Sequence, residues 1–179
     1  MLRVVFSSPD LASCRRSRLT SNARPHRQQE SGAIAMNTQL TVFGPVFALA
    51  FWTFIVLNVL GFRRIRAGRQ RRVKPEDFKL GESDQVPEQV RLANRNYMNL
   101  LELPVLFYVV SLTVFVTGAV TSIIVATSWF FVLLRVAHSI IHITTNNVLL
   151  RLYVFVAGNT ALLVLWLLAA HTIWGKSSA

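Results

Sequence analysis

Long apolar runs separated by short polar segments dominate the chain after residue 40. Residues 41–62 contain 22 positions without a charge, which is enough for one membrane-spanning helix. Residues 103–134 contain 32 uncharged positions, too many for one span but right for two spans joined by a turn at Thr117-Gly118. Another apolar run follows the polar residues 144–147. The pattern predicts an all-α membrane protein built as a four-transmembrane-helix bundle.

The predicted helices cover about 41–62, 91–117, 120–143 and 148–174, within one transmembrane domain of residues 36–179. Residues 1–35 hold six arginines and two acidic residues, without an apolar run long enough for a span. Arg-rich, acid-poor leaders resemble organelle transit peptides. The alternative is a disordered tail, or an upstream extension with Met36 as the true start. We favour this alternative because a membrane span follows Met36 almost at once.

Composition supports a membrane protein, with 53% hydrophobic and 15% charged residues. The net charge of +11 would suggest nucleic acid in a soluble protein. Here seven basic residues fall within 63–74, directly after an apolar run, which indicates a topology signal with lipid headgroup contact. We therefore expect a cytoplasmic loop 63–90, both termini outside, and no nucleic-acid partner. The single Cys14 excludes an internal disulfide and a thiolate metal site.

Two polar stripes run into the apolar helices. The first stripe shares one face of the second helix and consists of Arg91, Arg95, Asn99 and Glu102. The second shares one face of the third helix and consists of Arg135, His138, His142 and Asn146, with Arg151 following in the fourth. At about 1.5 Å per residue, Glu102 and Arg135 lie about 15 Å and about 14 Å along their helices from the same end of the bundle. We expect these two charges to pair, because an unpaired buried charge is far costlier.

Three uses of the stripes are open. The Glu102–Arg135 pair could simply fix the bundle, with the histidines as interhelical hydrogen-bonders. The stripes could instead line a polar cavity that binds a small ligand with several carboxylates and one ammonium group, since arginine forks bind carboxylates and Glu102 can accept an ammonium. A proton-coupled carrier is less favoured, because the helices have no broken segments. His138 and His142 lack a third ligand at zinc-site spacing.

The motif R-x-x-x-N-x-x-E at Arg95–Asn99–Glu102, followed by P-V-L-F-Y, resembles helix two of the MAPEG family (membrane-associated proteins in eicosanoid and glutathione metabolism). R-V-A-H at Arg135–His138, with Arg151 sixteen residues after Arg135, resembles its third and fourth helices. The resemblance covers about residues 40–174 and is closest to the small bacterial branch. It implies a location in the bacterial inner membrane.

The resemblance further implies a homotrimer that binds glutathione, as co-substrate, between neighbouring subunits on the cytoplasmic side. It implies a microsomal-type glutathione transferase or peroxidase acting on lipophilic electrophiles from the bilayer. A non-catalytic lipid-binding or scaffold protein is the alternative. The glutathione-binding positions that it implies are Arg95, Asn99, Glu102, Arg135 and Arg151, to which we add His138 and His142. Arg151, together with Arg135, is expected to stabilise the thiolate.

Two features depart from the family pattern. Pro104 follows Glu102 by two residues, whereas eicosanoid-forming members often place the proline later. His138 and His142 stand where several members carry tyrosines. Both departures concern the thiol-activating group and the electrophile. The resemblance therefore supports the assignment of the binding residues more strongly than the assignment of the reaction.

Overall fold

The computed structural model describes residues 36–79 and 83–177, with side chains as far as Gly175. Two compact units divide the chain, Met1–Thr38 and Gln39–Ala179. In the first unit residues 36–38 are helical, and the prediction for residues 1–35 lies outside the described residues. The second unit contains four long helices: α1 Phe43–Arg69, α2 Glu88–Val116, α3 Ser122–Ile143 and α4 Val148–Ser177. Each is long and apolar enough to cross a membrane, so the chain is an integral membrane protein with an all-helical bundle.

The first helix runs through most of the basic segment and ends at Arg69, beyond the predicted end at residue 62. The loss of apolar character marks where the helix leaves the bilayer, but arginine is a good helix former and does not end it. Termination comes from Arg71, whose left-handed backbone (φ 53°) lets its N–H donate to Gly68 O at 2.9 Å. The N–H of Arg72 then donates to Ala67 O at 3.0 Å, which completes a C-terminal cap.

Part of the basic segment ties the end of α1 to the start of α2. Arg63 Nη1 donates to Gln89 O at 2.8 Å, and Arg64 Nη2 donates to Asn94 Oδ1 at 3.1 Å. The Arg64 guanidinium also lies 5.1 Å from the ring centre of Phe78, in the 3-10 turn Pro75–Phe78. Beneath these contacts a small apolar cluster is buried between the two helices: Leu60, Ala67, Val86, Val90 and Ala93.

The α2–α3 connection is a tight turn around Gly118. Its φ of 63° is left-handed, a conformation that favours glycine. Gly118 N–H donates to Phe115 O at 3.0 Å and Ala119 N–H donates to Val114 O at 2.8 Å, so the last carbonyls of α2 are satisfied within the apolar region. Thr121 then caps α3 by accepting from Ile124 N–H. The turn places α2 and α3 side by side and antiparallel.

The α3–α4 connection is equally short and returns the chain beside α2. Asn146 takes the left-handed conformation (φ 46°), and its N–H donates to Ile141 O at 2.8 Å. Asn147 Oδ1 accepts from Leu150 N–H at 3.1 Å and so caps α4. α4 packs along α3 and also contacts α2, while α1 packs on α2 and α3. The ends of α1 and α3 and the starts of α2 and α4 therefore meet at one end of the bundle.

A buried polar contact joins α2 to α3 inside this apolar bundle. Asn96 and Ser139 are both fully buried, and Asn96 Nδ2 donates to Ser139 Oγ at 2.7 Å. Hydrogen bonds between membrane helices contribute about 0.6 kcal/mol on average and up to about 1.7 kcal/mol. The contact therefore helps to fix the register of the two helices that carry the polar stripes.

We expect Ser139→Ala to lower the free energy of unfolding in detergent by about 1 kcal/mol, because it leaves a buried amide donor without its acceptor. Ser128→Ala in the same helix is the matched control. The Ser128 hydroxyl is also buried but donates to Ile124 O of its own helix at 2.8 Å, so its removal strands no donor. Equal losses of stability in the two variants would show that the Asn96 contact contributes nothing specific.

Candidate functional site

A cleft of about 490 Å³ opens between α2, α3 and α4, near the end of the bundle where the basic segment lies. Its polar lining consists of Arg95, Asn99, Glu102, His138, His142 and Arg151. Its apolar lining consists of Met98, Val148, Leu152 and Phe155. The first set comes from all three helices, because the helical repeat brings residues three and four apart onto one face. The cleft thus joins both polar stripes.

The α2 wall is held by a residue that lies behind it. Arg135 is 1% exposed, and its Nη2 donates to Asn99 O at 2.6 Å and to Asn99 Oδ1 at 3.0 Å. Pro104, inside α2, has no N–H for the carbonyl of Leu100, four residues earlier. Asn99 lies in the same turn of α2, where a neighbouring helix can bond to backbone groups in a membrane. Arg135 therefore fixes both the backbone and the side chain of Asn99.

The α3 wall is formed by two histidines that contact α4. A backbone carbonyl can only accept, so His138 Nδ1, 3.2 Å from Arg151 O, carries the proton of that bond. A guanidinium can only donate, so His142 Nε2 accepts from Arg151 Nη1 at 3.4 Å and is unprotonated. The two rings lie 6.0 Å apart in an edge-to-face arrangement, and the His138 ring also lies 5.7 Å from that of Phe155. Both histidines thus position Arg151.

Arg151 is anchored through one nitrogen. Its Nη1 donates to Asn146 Oδ1 at 2.8 Å as well as to His142, while the side chain is half-buried in the cleft wall. Asn146 lies in the turn between α3 and α4 and has a left-handed backbone. A guanidinium has five N–H groups, and Nη2 and Nε make no hydrogen bond to the described residues, so their donors are available to a ligand.

Arg95 and Glu102 are the exposed charges of the cleft. Within residues 36–79 and 83–177, neither side chain makes a hydrogen bond or an ion pair. Behind them, Arg135 Nε and Nη1, His138 Nε2 and His142 Nδ1 are buried without a hydrogen-bond partner in the described part of the chain. Buried polar groups are normally paired, so this concentration of unused donors and acceptors distinguishes the cleft from an ordinary packed interface.

Six of the seven predicted site residues line the cleft, and the seventh, Arg135, lies behind its wall. The expected Glu102–Arg135 ion pair is absent from the described residues, since Arg135 turns toward Asn99 while Glu102 faces the cleft. Arg91, on the same stripe, lies outside the lining and pairs with Asp84 at 3.1 Å.

Sequence reasoning missed the apolar wall of the cleft. Met98 and Leu152 are 48% and 52% exposed, and Phe155 stacks at an angle beside His138. Met98 lies three residues after Arg95, and Phe155 lies four residues after Arg151, but lipid-facing residues have the same spacing, so no signal in the sequence separated them. The cleft therefore combines a charged half with an apolar half that is continuous with the lipid-facing surface.

Comparison with protein-family models matches residues 42–171 to the model of the MAPEG family. The matched range contains all the residues that line the cleft. Comparison with curated proteins and with solved structures gives no match.

Proposed function

Because the chain belongs to the MAPEG family, we propose that this integral membrane protein binds glutathione in the cleft and uses it as a transferase or peroxidase on lipophilic electrophiles. The observation that carries the proposal is the union, in one cleft of about 490 Å³, of two arginines and one carboxylate with an apolar wall. A bundle-fixing role alone would not explain why Arg95 and Glu102 are exposed to the cleft without a hydrogen bond or direct ion pair to the described residues, because charges within membrane spans usually serve a function.

The charges suit the functional groups of glutathione. The tripeptide carries two carboxylates, one ammonium group and one thiol. Arg95 and the unused donors of Arg151 can bind carboxylates through planar forks, or stabilise an anionic sulfur. Glu102 makes no hydrogen bond or direct ion pair to the described residues and is the acidic residue of the cleft, so it would accept the ammonium group. Asn99, fixed by Arg135, would donate through its amide Nδ2 to a ligand carboxylate.

Arg151 is the residue that we assign to the thiol. A thiolate, not a thiol, is the nucleophile, and a neighbouring guanidinium favours the charged form. Arg151 lies beside Leu152 and Phe155, where the charged half of the cleft meets the apolar half. A sulfur bound there would meet an electrophile that enters from the bilayer. Arg135 acts differently, since it lies behind the wall and positions Asn99.

In the transferase reaction, the thiol first loses its proton to water at the cleft mouth. The sulfur lone pair then forms a bond to the electrophilic carbon, and the leaving group departs with the electron pair of the broken bond. In the peroxidase reaction, the sulfur attacks a hydroperoxide oxygen, the O–O bond breaks, and an alcohol leaves with a sulfenic acid of glutathione. A second glutathione reduces this acid, giving glutathione disulfide and water.

The proposal includes a homotrimer in the bacterial inner membrane, with the cleft facing the cytoplasm. Glu102 and Arg95 are exposed on the open side of the cleft of a single chain, and a neighbouring subunit would close that side. The basic segment beside the cleft end of the bundle supports a cytoplasmic orientation through the positive-inside rule.

A non-catalytic binding or scaffold protein is the second candidate. One observation favours it: Arg151 Nη1 is already bonded to Asn146 and His142, as expected of a residue that anchors a ligand and not of one that activates it. Both candidates require glutathione or a similar ligand in the cleft. They differ in whether the bound thiol becomes a thiolate.

We expect Arg151→Ala to reduce the thiolate formed by bound glutathione about ten-fold at neutral pH, because the guanidinium that favours the charged sulfur is gone. Ultraviolet thiolate absorbance and conjugation of a model electrophile by the detergent-purified protein measure this. Arg151→Lys keeps a point charge and should retain part of the signal. Arg91→Ala is the control, because Arg91 pairs with Asp84 outside the cleft.

The outcomes separate the candidates. Binding of glutathione by the wild-type protein without thiolate or product would support the scaffold. Unchanged thiolate in Arg151→Ala would remove Arg151 from the activating role. Failure of the wild-type protein to bind glutathione would overturn both candidates.

A further inference from the structure

A second groove, separate from the cleft, follows the outer surface of α1 toward the start of α2 and encloses about 880 Å³. Its lining runs from Ile55, through Phe62 and Arg66, to Arg72. Buried Ala67 and Val90 form part of its floor, in the small apolar cluster that joins the two helices. The groove thus has a firm floor, and the proposed glutathione chemistry makes no use of it.

The charge in this groove has one sign. Three arginines line it, Arg63, Arg66 and Arg72, and the described part of its lining contains no carboxylate. Arg63 is committed in part to Gln89 O, but the guanidinium groups of Arg66 and Arg72 make no hydrogen bond to any described residue. Arg63 and Arg64 already bind α1 to α2 through hydrogen bonds. Contact between these two helices therefore does not explain the presence of Arg66 and Arg72 in the groove.

The other half of the groove is apolar apart from Asn58 and belongs to the membrane span. Ile55, Val59 and Phe62 lie on the uncharged part of α1, and Phe62 is 65% exposed. From Ile55 to Arg72 the lining spans eighteen residues, and the helical part to Arg69 alone rises about 21 Å. A free phosphate would fill a small part of that length. A lipid, with a headgroup at the arginines and an acyl chain along the phenylalanine, would fill both halves.

We propose that this groove is a binding site for an anionic phospholipid of the bilayer, with the phosphate held by Arg66 and Arg72 and the acyl chain lying along Ile55 and Phe62. The site is more specific than headgroup contact with a basic segment, because it selects two arginines of that segment and one apolar face of α1. Arg71 and Lys74 carry the same charge a few residues away but do not line the groove.

Native mass spectrometry of the full chain in neutral detergent, titrated with phosphatidylglycerol or phosphatidylcholine, tests the proposal. We expect phosphatidylglycerol to bind more tightly, and Arg66→Gln with Arg72→Gln to weaken it about 25-fold, at about five-fold per arginine. The matched control, Arg71→Gln with Lys74→Gln, removes equal charge. This control should change lipid binding less than about two-fold at 0.15 M salt, where charges are screened over about 8 Å.

Phe62→Ser tests the apolar half of the groove and should weaken lipid binding about five-fold, because the acyl chain loses an apolar contact. The Phe62 side chain is exposed, so its replacement should not unfold the helix.

Each contrary outcome has a distinct meaning. Equal loss in the two double variants would reduce the effect to general attraction between a basic segment and acidic lipid. Displacement of the lipid by inorganic phosphate, with no effect of Phe62→Ser, would make the site a phosphate site. A smaller oligomeric mass of the Arg66→Gln, Arg72→Gln variant, with no preference for phosphatidylglycerol, would show that a second copy of the chain covers the groove. Any of the three would overturn the proposal.

Discussion

Arg135→Met is expected to stabilise the folded chain by about 1–2 kcal/mol while weakening its binding of glutathione about ten-fold. Arg135 is 1% exposed and bonds to Asn99, but its Nε and Nη1 have no partner among the described residues. Taking a charge out of water is costly, and replacing a whole buried ion pair with apolar side chains of similar volume is often neutral or stabilising by about 1–4 kcal/mol. Arg135 has no direct ion-pair partner among the described residues, so its replacement leaves no partner charge buried. Methionine keeps an unbranched aliphatic stem, which suits a position where Arg135 Cδ would be in ordinary van der Waals contact, at 3.8 Å, with a Cβ at Gly158 of α4.

The loss of binding has a separate cause. Without the guanidinium, Asn99 is free to rotate, and water from the cleft can reach its half-buried amide. Thermal unfolding in detergent and calorimetric titration with glutathione measure the two effects on one sample. Arg135→Ala is the matched comparison, because it removes the same charge and also leaves a cavity, and should cost about 2–5 kcal/mol. If methionine destabilises the protein as much as alanine does, Arg135 serves the bundle and not the cleft.

The lengths of the uncharged runs predicted the four helices, because the thickness of a bilayer sets the length of a span. The end of α1 could not be predicted in the same way. Hydropathy reports where the chain leaves hydrocarbon, and the helix continues to Arg69 because its backbone needs partners until Arg71 takes a left-handed conformation. Gly118 was predicted correctly as a turn because glycine tolerates the backbone angle that the turn requires.

Helical spacing brought Arg95, Asn99 and Glu102 to one wall of the cleft, since residues three and four apart share a face. The expected direct ion pair between Glu102 and Arg135 is not formed among the described residues, although the two charges attract each other at longer range. The reason is geometric. Depth along a helix gives the height of a residue in the bundle but not the direction in which its side chain turns. Arg135 points toward Asn99, in the turn of α2 before Pro104, whereas Glu102 faces the cleft.

The apolar wall shows a limit of a different kind. Leu152 and Phe155 have the same composition and spacing as residues that face lipid, and a sequence cannot tell a cleft wall from a lipid-facing surface. Their role depends on where α4 crosses α2 and α3. The charged half of the cleft could thus be predicted, because charged residues are rare within membrane spans. The apolar half could be identified only from the way in which the three helices pack.

Glu102→Gln is expected to weaken glutathione binding about thirty-fold, or about 2 kcal/mol, with little change in stability. The carboxylate is exposed in the cleft and makes no hydrogen bond or direct ion pair to the described residues, so its removal breaks no direct contact between the helices. Its charge acts on Arg135 only through space. A charge-assisted hydrogen bond to the ammonium group of the ligand would be lost, and glutamine keeps the size of the side chain. Glu88→Gln, at the start of the same helix and outside the cleft, should leave the affinity unchanged.

A ligand that lacks only the amino group of glutathione turns this prediction into a test of the assigned contact. The wild-type protein should bind this analogue about thirty-fold more weakly than glutathione, whereas the Glu102→Gln protein should bind the two ligands equally. When two groups contact each other, the removal of either one abolishes their interaction. The effects of the protein change and the ligand change therefore do not add. Additive losses would mean that the ammonium group binds elsewhere and that Glu102 acts on glutathione through the general field of the cleft. In that case Glu102 would still be part of the binding site. The proposed orientation of glutathione, and the position of its sulfur beside Arg151, would have to be reassigned.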